Sequence, residues 1–355
     1  MIPVRRPSST TGVGGRPGVY RDRVTRRVLY ASFATKNLSG GVDVHLHHIA
    51  LLRAAGIEAS LWLPQPGTPA WMGDVPVVTG PTVEVGADDV VIFPEAPVVP
   101  GTDPAPGARK IIFNQNHFYT YATWDGPLDG YPGWDPAPAV WAVSEESAQV
   151  LRALNPSLPV TVVPPPVDPD LFTPAATRSG IALLPKKRPH EAVLLRRLLE
   201  QDPRVPAGAV HVLADVPRSE VVRVLAGAAV FVALSHTDSF GLPVAEAMLS
   251  GCLVAGYDGG GGIALFDAPG AWRVPEQRPL LLADRVADLQ SRQEELSHLS
   301  EANRAWVQAR HSPAVVAVTL LAAVADARTR PGAASTATHP AAWLDRMPDG
   351  FTKTG

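Results

Sequence analysis

Two carboxylates and a run of glycines lie close together in the segment 235–262, SHTDSFGLPVAEAMLSGCLVAGYDGGGG. Asp238 follows the apolar stretch VFVALS, and Glu246 stands eight residues later. At this spacing, two carboxylates could bind different hydroxyl groups of one elongated polar ligand. The segment ends on glycines, whose backbone N–H groups could closely approach a phosphate or a sugar; they are Gly259, Gly260, Gly261 and Gly262.

The predicted elements around these residues favour a binding site. A strand over 230–235 leads through a loop into a helix over 243–250, with Pro243 and Gly251 as its start and stop signals. Open α/β sheets bind anions where a strand's carboxyl end meets a helix N-terminus. In an ordinary strand–helix connection, Asp238 would be a cap and Glu246 a solvated helix residue. Their combination with the glycines and with Phe240-Gly241-Leu242 favours binding.

Basic and polar residues follow two other predicted strands. Lys186, Lys187 and Arg188 come after the strand 180–185, where they could neutralise a diphosphate leaving group. We favour Lys187 for this role, with Lys186 or Arg188 assisting, and the alternative is a solvated turn. His117 follows the strand 110–114, with Asn114 and Asn116 as polar neighbours that could contact an acceptor. The alternative for His117 is a structural role, in which backbone groups of its own loop form the hydrogen bonds of the imidazole ring.

Apolar runs alternate with helical periods along most of the chain, which predicts parallel sheets covered on both faces. A proline-rich passage at 162–174 separates two such series, so we predict an α/β protein with two doubly wound domains facing each other. The predicted strands lie at 27–33, 59–63, 90–94, 110–114, 139–144, 160–164, 180–185, 210–214, 230–235 and 252–257. The predicted helices lie at 40–56, 145–154, 189–200, 218–227, 243–250, 280–297 and 299–328.

The segment 235–262 resembles the nucleotide-sugar signature of retaining glycosyltransferases of the GT-B fold, family 4 or "glycosyltransferase group 1". That signature is an acidic residue, seven others and a Glu, around F-G-L-P-x-x-E-A-M-x-x-G. The resemblance implies that Glu246 holds the donor ribose, that Asp238 contacts the donor sugar, and that the glycines 259–262 lie beside sugar and phosphate. The sequence departs from the pattern at Asp238, where Glu is usual.

Weaker similarities extend over about residues 28–330. The stretch beginning SGGVDVHLHHIALL resembles the family's N-terminal glycine loop, which places Gly40 and Gly41 near the donor phosphates. SEESAQVL and VVPPPVDPDLFTP resemble the passage between the domains, with Pro165-Pro166 in place of the usual Asn-Gly. By the same resemblance, His117 touches the transferred sugar.

The resemblance implies a retaining hexosyltransferase that moves a sugar from a nucleoside-diphosphate donor to a hydroxyl acceptor, with no cofactor and no catalytic metal. The alternatives are a catalytically degenerate binding partner of another transferase, a nucleotide-sugar epimerase and a glycoside phosphorylase. The predicted division is a disordered tail (1–26), a Rossmann-like acceptor domain (27–165), a Rossmann-like nucleotide-sugar domain (166–305), a helix crossing back to the first domain (306–330) and a second disordered tail (331–355).

Composition narrows the function classes. Residues 28–165 carry five basic against thirteen acidic side chains, which argues against a nucleic-acid partner and mildly against docking on anionic lipid. We therefore expect a soluble neutral or cationic acceptor, such as a saccharide or small metabolite, and membrane association that is peripheral at most. A single cysteine, Cys252, excludes an internal disulfide. With no signal peptide and no apolar run of spanning length recognised, we expect a cytoplasmic protein.

Three motifs carry no site prediction. His45, His47 and His48 offer an i,i+3 pair that could ligate a metal, but no carboxylate or cysteine completes the set. Asp168 and Asp170 form a D-x-D pattern, but it lies in the passage between the domains. The glycines at 12–15 lack the Lys-Ser/Thr of a P-loop.

Overall fold

The chain contains two α/β domains, each built on a parallel sheet. The computed structural model describes residues 26–36, 38–123 and 133–346. Apart from Arg26, the tail predicted over 1–26 lies outside these ranges, as do residues 347–355 of the second predicted tail. The fold class predicted from the alternating pattern is confirmed, because the sheets of both domains are parallel and α-helices connect several of their successive strands.

The N-terminal domain has a seven-stranded parallel sheet. Its strands are β1 (Val28–Ala31), β2 (Ala59–Leu63), β3 (Val77–Thr79), β5 (Val90–Pro94), β6 (Arg109–Asn114), β7 (Ala139–Ala142) and β8 (Val160–Val162), and β4 (Thr82–Val85) lies outside it. The strand order is β3-β2-β1-β5-β6-β7-β8. Two helices, α1 (Gly40–Ala54) and α2 (Glu145–Leu154), follow β1 and β7. The strands are apolar on both faces, as a sheet buried on both sides requires.

The C-terminal domain has a five-stranded parallel sheet in the order β10-β9-β11-β12-β13. Its strands are β9 (Ile181–Leu183), β10 (Val210–Val212), β11 (Val230–Asp238), β12 (Leu253–Gly260) and β13 (Ala271–Arg273), and its helices are α3 (Pro189–Gln201), α4 (Arg218–Gly227), α5 (Leu242–Leu249), α6 (Pro279–Ser291) and α7 (Ser297–His311). One apolar core runs from the N-terminal sheet into this domain and includes Phe113, Trp141, Phe231 and Met248.

The helical pattern predicted over 299–328 is two helices, because Pro313 lacks a backbone N–H and starts a new one. The second, α8 (Pro313–Thr329), packs against α1, β5 and β6 of the N-terminal domain through Val316, Leu320 and Val324. Contrary to the expectation from sequence, the stretch Ser297–Thr329 is long and apolar enough to cross a membrane by length and composition alone. That criterion does not separate a spanning helix from a helix packed in a protein core.

The disordered tail predicted over 331–355 is wrong for its described part. Strand β14 (Ser335–Thr338) pairs antiparallel with β4, and the following residue, His339, is buried. A ring nitrogen of His339 lies 3.0 Å from the carbonyl oxygen of Ser32 and 3.2 Å from that of Trp62. The composition suggested disorder because these side chains are small and polar. An unpaired edge at β4 supplies the hydrogen bonds that order them.

Candidate active site

The loops after β6 and β11 meet across the boundary between the two domains. Asn116 Nδ2 donates to the carbonyl oxygen of Thr237 over 2.9 Å, and the His117 amide donates to Ser239 Oγ over 2.8 Å. The Ser144 hydroxyl, after β7, donates to the carbonyl oxygen of Ser239 over 2.7 Å. Since parallel strands end at the same edge of a sheet, these contacts bring the carboxyl edges of the two sheets together.

Glu246 is a buried, ion-paired carboxylate at this boundary. It lies on α5, whose N-cap Gly241 has a φ of +88°, a conformation that glycine adopts without strain. Glu246 Oε1 is 3.0 Å from the Arg218 guanidinium, which is also 3.4 Å from Asp43 of α1 in the other domain. The solvated-helix alternative is therefore wrong.

Arg218 was not predicted from the sequence. It is the first residue of α4 and follows the carboxyl end of β10. The rule that singled out Asp238 and His117, that ligands bind beyond the carboxyl ends of parallel strands, would also have identified it.

The pKa of Glu246 is raised to about 7, because the raising effect of burial, to which Asp43 adds, outweighs the lowering effect of Arg218. The folded state therefore holds this proton at pH values where the unfolded chain, with a value near 4.5, has released it. The protonated Glu246 carboxyl therefore contributes to the free energy of unfolding below pH 4.5, and this contribution is lost as the pH rises to about 7.

We expect Glu246→Gln to gain stability relative to wild type as the pH rises. The gain in unfolding free energy between pH 5 and pH 8 should be on the order of 1–3 kcal/mol. Urea unfolding of both proteins at the two pH values measures it. Glu95, whose pKa burial also raises to about 7, titrates in both proteins and cancels from the difference. If the unfolding free energies of the two proteins differ by the same amount at pH 5 and at pH 8, the expectation is wrong.

Asp238 and Lys187 form an ion pair at the end of β11. Asp238 was predicted in a loop, but it is the last residue of the strand, because β11 pairs with β12 as far as Gly260 after an irregularity in register. Lys187 Nζ is 2.6 Å from Asp238 Oδ1 and donates to the carbonyl oxygen of His236 over 3.1 Å. Both side chains are partly exposed. The pair therefore presents a cation and a carboxylate together at the strand end.

The other two basic residues differ in their surroundings. Lys186 is exposed. Arg188 donates to the carbonyl oxygen of Ser235 over 3.2 Å and to Glu276 over 2.7 Å, and its guanidinium lies over the ring of Tyr257. This arrangement argues against the predicted contact between Arg188 and a diphosphate. The prediction for Lys187, with Lys186 assisting, fits the structure better.

The four glycines form the end of β12 and a tight turn. The Gly260 amide donates to Asp258 Oδ1 over 2.7 Å, and the Gly262 amide donates to the carbonyl oxygen of Asp258 over 3.1 Å. The expectation that all four amides face a ligand is therefore too broad. Gly261 also has a packing role, since a Cβ there would lie 2.3 Å from the Cα of Ser239. Any larger residue would push the turn away from β11.

His117 lies in a 3₁₀ turn, His117–Tyr119, that begins directly after Asn116. Its Nδ1 is 2.8 Å from Ser239 Oγ and 3.3 Å from Ser147 Oγ. Burial lowers its pKa, an effect that Glu146 partly offsets. These partners are side-chain hydroxyls from both domains, so the alternative of a ring satisfied by loop backbone is wrong.

The asparagines near His117 have different surroundings. Asn114 is 1% exposed and its Nδ2 donates to Thr120 Oγ1 over 2.7 Å, so it holds its own loop and does not face an acceptor as predicted. Asn116 reaches across the boundary as described above. Between them, the backbone N–H of Gln115 donates to Glu95 Oε2 over 3.2 Å, and its side-chain Nε2 donates to the carbonyl oxygen of Gly41. Gln115 and Glu95 were not predicted from the sequence.

Gly40 and Gly41 form the first turn of α1, not a loop before it. A Cβ at Gly40 would lie 3.4 Å from Cδ1 of Leu242, the first residue of α5. The N-termini of α1 and α5 therefore approach each other across the domain boundary. Both ends carry partial positive charge, which suits an anionic ligand.

The motifs that carried no site prediction have packing or turn roles in the structure. His45 and His48 are buried beside Phe113. Asp168 Oδ1 accepts the amide of Asp170 in a turn. Within the described ranges, no group of three or more His, Cys, Asp or Glu side chains is arranged to hold a metal ion.

Comparisons with known proteins agree with this arrangement. Residues 205–306 match the family model described as Glycosyl transferases group 1. The chain is 28% identical, over 275 residues that cover 73% of it and 82% of the relative, to the alpha-1,6-glucosyltransferase of Actinobacillus pleuropneumoniae serotype 7 (strain AP76).

Solved structures share the fold. The sucrose-phosphate synthase of Thermosynechococcus elongatus has a TM-score of 0.61 at 13% identity, covering 85% of this chain and 98% of that one. Anabaena HepE in complex with UDP-glucose has a TM-score of 0.59 at 13% identity, covering 84% and 99%. The pneumococcal O-GlcNAc transferase GtfA, in complex with UDP and GlcNAc, has a TM-score of 0.64 at 10% identity, covering 85% and 99%.

Two parallel-sheet domains with their strand ends at a shared boundary define a GT-B protein, and the chain is a glycosyltransferase of this fold. Its second domain carries the glycosyl transferases group 1 region, which contains Arg218, Asp238, Glu246 and the glycine turn. The predicted family resemblance is thereby confirmed.

Proposed function

We propose that this glycosyltransferase transfers a hexosyl unit from a nucleoside-diphosphate sugar to a hydroxyl acceptor, with retention of anomeric configuration and without a catalytic metal. The observation that carries the proposal is the placement of two carboxylates: Glu246 meets the other domain through Arg218 and Asp43, and Asp238, paired with Lys187, lies beside the glycine turn. UDP-glucose is the first donor to test, because HepE was solved with it and the Actinobacillus relative is named a glucosyltransferase.

Each residue has a role in the proposed reaction. Glu246 accepts hydrogen bonds from the ribose hydroxyls, which requires the guanidinium of Arg218 to move aside or to share the carboxylate. Asp238 holds the donor sugar. Lys187 and the N-termini of α1 and α5 stabilise the negative charge that develops on the departing diphosphate.

The proposed transfer takes place in one step and needs no nucleophile from the enzyme. The bond between the anomeric carbon and the diphosphate oxygen breaks as the acceptor oxygen bonds to the same face of that carbon. The acceptor proton passes to the departing phosphate oxygen. Closure of the domains around the donor excludes the water that would hydrolyse it.

The acceptor proposal rests on charge. The excess of acidic side chains over 28–165 disfavours an anionic acceptor or surface. We therefore propose a neutral or cationic acceptor in solution, with membrane contact at most peripheral.

A panel of glucose esters of UDP, GDP, ADP and TDP tests the donor. A donor present at about 100 times its dissociation constant stabilises the fold by ~2.7 kcal/mol, which a thermal unfolding assay detects. We expect UDP-glucose to give the largest shift. A flat response to all four would contradict the proposal.

Product analysis with the donor so identified separates the remaining alternatives. Retention appears as a product anomer identical to that of the donor in proton NMR. An epimerase would convert the donor without an acceptor, and a phosphorylase would require inorganic phosphate. Donor binding without turnover is the behaviour of a degenerate binding partner.

A further inference from the structure

A cavity of about 390 Å³ lies between the domains, and the glycine turn forms part of its lining. Its walls come from the start of α2, from the passage after β8, from the turn around Gly261 and from the end of α7. None of the donor-side roles proposed above uses it. A cavity this size, lined by both domains and touching the glycine turn, is placed to hold a second ligand beside the donor.

Two buried polar atoms of the cavity lining have no hydrogen-bond partner among the described residues: Glu146 Oε2 and His311 Nδ1. The other oxygen of Glu146 accepts the amide of Ala264 over 3.1 Å, so the carboxylate is held in place. His311 is only 9% exposed. Burial of unpartnered polar atoms is costly, which indicates that a ligand supplies their hydrogen bonds.

Both atoms are hydrogen-bond acceptors. The pKa of His311 is lowered to about 4, because burial and the charge of Arg310 outweigh the raising effect of a hydrogen bond to the backbone of Pro165. A carbonyl oxygen can only accept, so the ring nitrogen facing Pro165 carries the hydrogen and Nδ1 is left as an acceptor. Two acceptors require a ligand with at least two donor groups, as a polyhydroxylated ligand has.

The remaining lining residues favour a sugar that carries no negative charge. Phe240 and Trp306 contribute aromatic rings, which suit the C–H faces of a pyranose. The carboxylates of the lining, Glu145, Glu146 and Asp267, outnumber the guanidinium of Arg310, which lies over Trp306 at 4.2 Å. This charge balance disfavours an anionic ligand.

We infer that this cavity is a saccharide subsite that binds the terminal sugar of a neutral or cationic acceptor glycan next to the donor. The inference rests on the proposed function, which it deepens by naming the acceptor class and its residues. Glu146 and His311 accept hydrogen bonds from the sugar hydroxyls, and Trp306 packs against the ring.

Saccharide binding in the presence of UDP tests this directly. The probes are methyl α-glucoside, methyl β-glucoside and isomaltose, titrated to about 50 mM and followed by saturation-transfer NMR. We expect at least one probe to bind the full-length protein. Glu146→Gln should weaken its binding about tenfold or more, because a donor group replaces the unpartnered acceptor oxygen. Trp306→Leu, which keeps an apolar side chain but removes the ring, should weaken it similarly.

The matched control is Glu294→Gln on the surface, which should bind the probe like wild type. The UDP-induced thermal shift of each variant checks that it is folded. Failure of every probe to bind, or equal binding by wild type and both cavity variants, would overturn the inference. If UDP-glucose also fails to bind wild type, the proposed function fails as well; if it binds, only the saccharide subsite is refuted.

Discussion

Replacing Glu246 by alanine is expected to weaken UDP-glucose binding by about 10²–10⁴-fold. A hydrogen bond to a charged group contributes about 1.5–3 kcal/mol, and the proposed role gives Glu246 two of them, one to each ribose hydroxyl. The variant also leaves Arg218 with only Asp43 as its ionic partner at the domain boundary. Affinity for UDP alone should fall as much as affinity for UDP-glucose, since the ribose is common to both.

Isothermal titration with UDP and UDP-glucose measures the effect of this substitution. Glu294→Ala removes an exposed carboxylate from the same domain and should leave both affinities within about twofold of wild type. A Glu246→Ala protein that is folded and binds UDP as tightly as wild type does would place the ribose elsewhere. The resemblance that assigned it to Glu246 would then not hold for this chain.

The second large effect is expected at Lys187. Lys187→Met should lower kcat/KM by about 10²–10³-fold, the effect found when one group that stabilises developing negative charge is removed. The substitution keeps most of the length of the side chain and removes its charge. The variant loses the 2.6 Å ion pair but keeps the carboxylate of Asp238. The loss of rate is therefore due to the missing cation and not to a missing carboxylate.

Steady-state kinetics with UDP-glucose and the acceptor identified above measure the loss at Lys187. Lys186→Met is the informative comparison, because Lys186 is adjacent but Lys187 is the lysine paired with Asp238, so the Lys186 variant should lose much less activity. Arg197→Met, on the exposed side of α3, controls for the loss of one positive charge. Equal losses at Lys186 and Lys187 would show that the two lysines share the diphosphate.

The local predictions that succeeded depended on short-range patterns. Pro243 and Gly251 bracketed α5, and the apolar runs located the principal strands, because strand and helix periodicity are properties of a few consecutive residues. Short edge strands such as β14 were missed. Its four small side chains have little apolar pattern, and it is ordered by pairing with β4, some 250 residues earlier.

The site predictions divided in the same way. Glu246 and Lys187 were singled out by residue type and by position after a strand. The structure places Glu246 at the domain boundary and Lys187 against Asp238 at the end of β11. Arg188 and Asn114 satisfied the same criteria, but the guanidinium of Arg188 is bonded to Ser235 and Glu276, and the side chain of Asn114 is buried against Thr120 in its own loop. Residue type at a strand end indicates where a side chain can act, whereas its partners decide whether it is available.

By itself, the sequence determined the class of fold, the two-domain division and the carboxylate, lysine and glycine segments from which we propose that the donor site is built. Only the tertiary structure decided which of those groups meet: Arg218 with Glu246 and Asp43, Lys187 with Asp238, and Glu146 with His311 in one cavity. The reason is physical. Helix and strand preferences act between near neighbours in the chain, but ion pairing, burial and a shared cavity depend on distances between residues far apart in sequence, which only packing of the two domains sets.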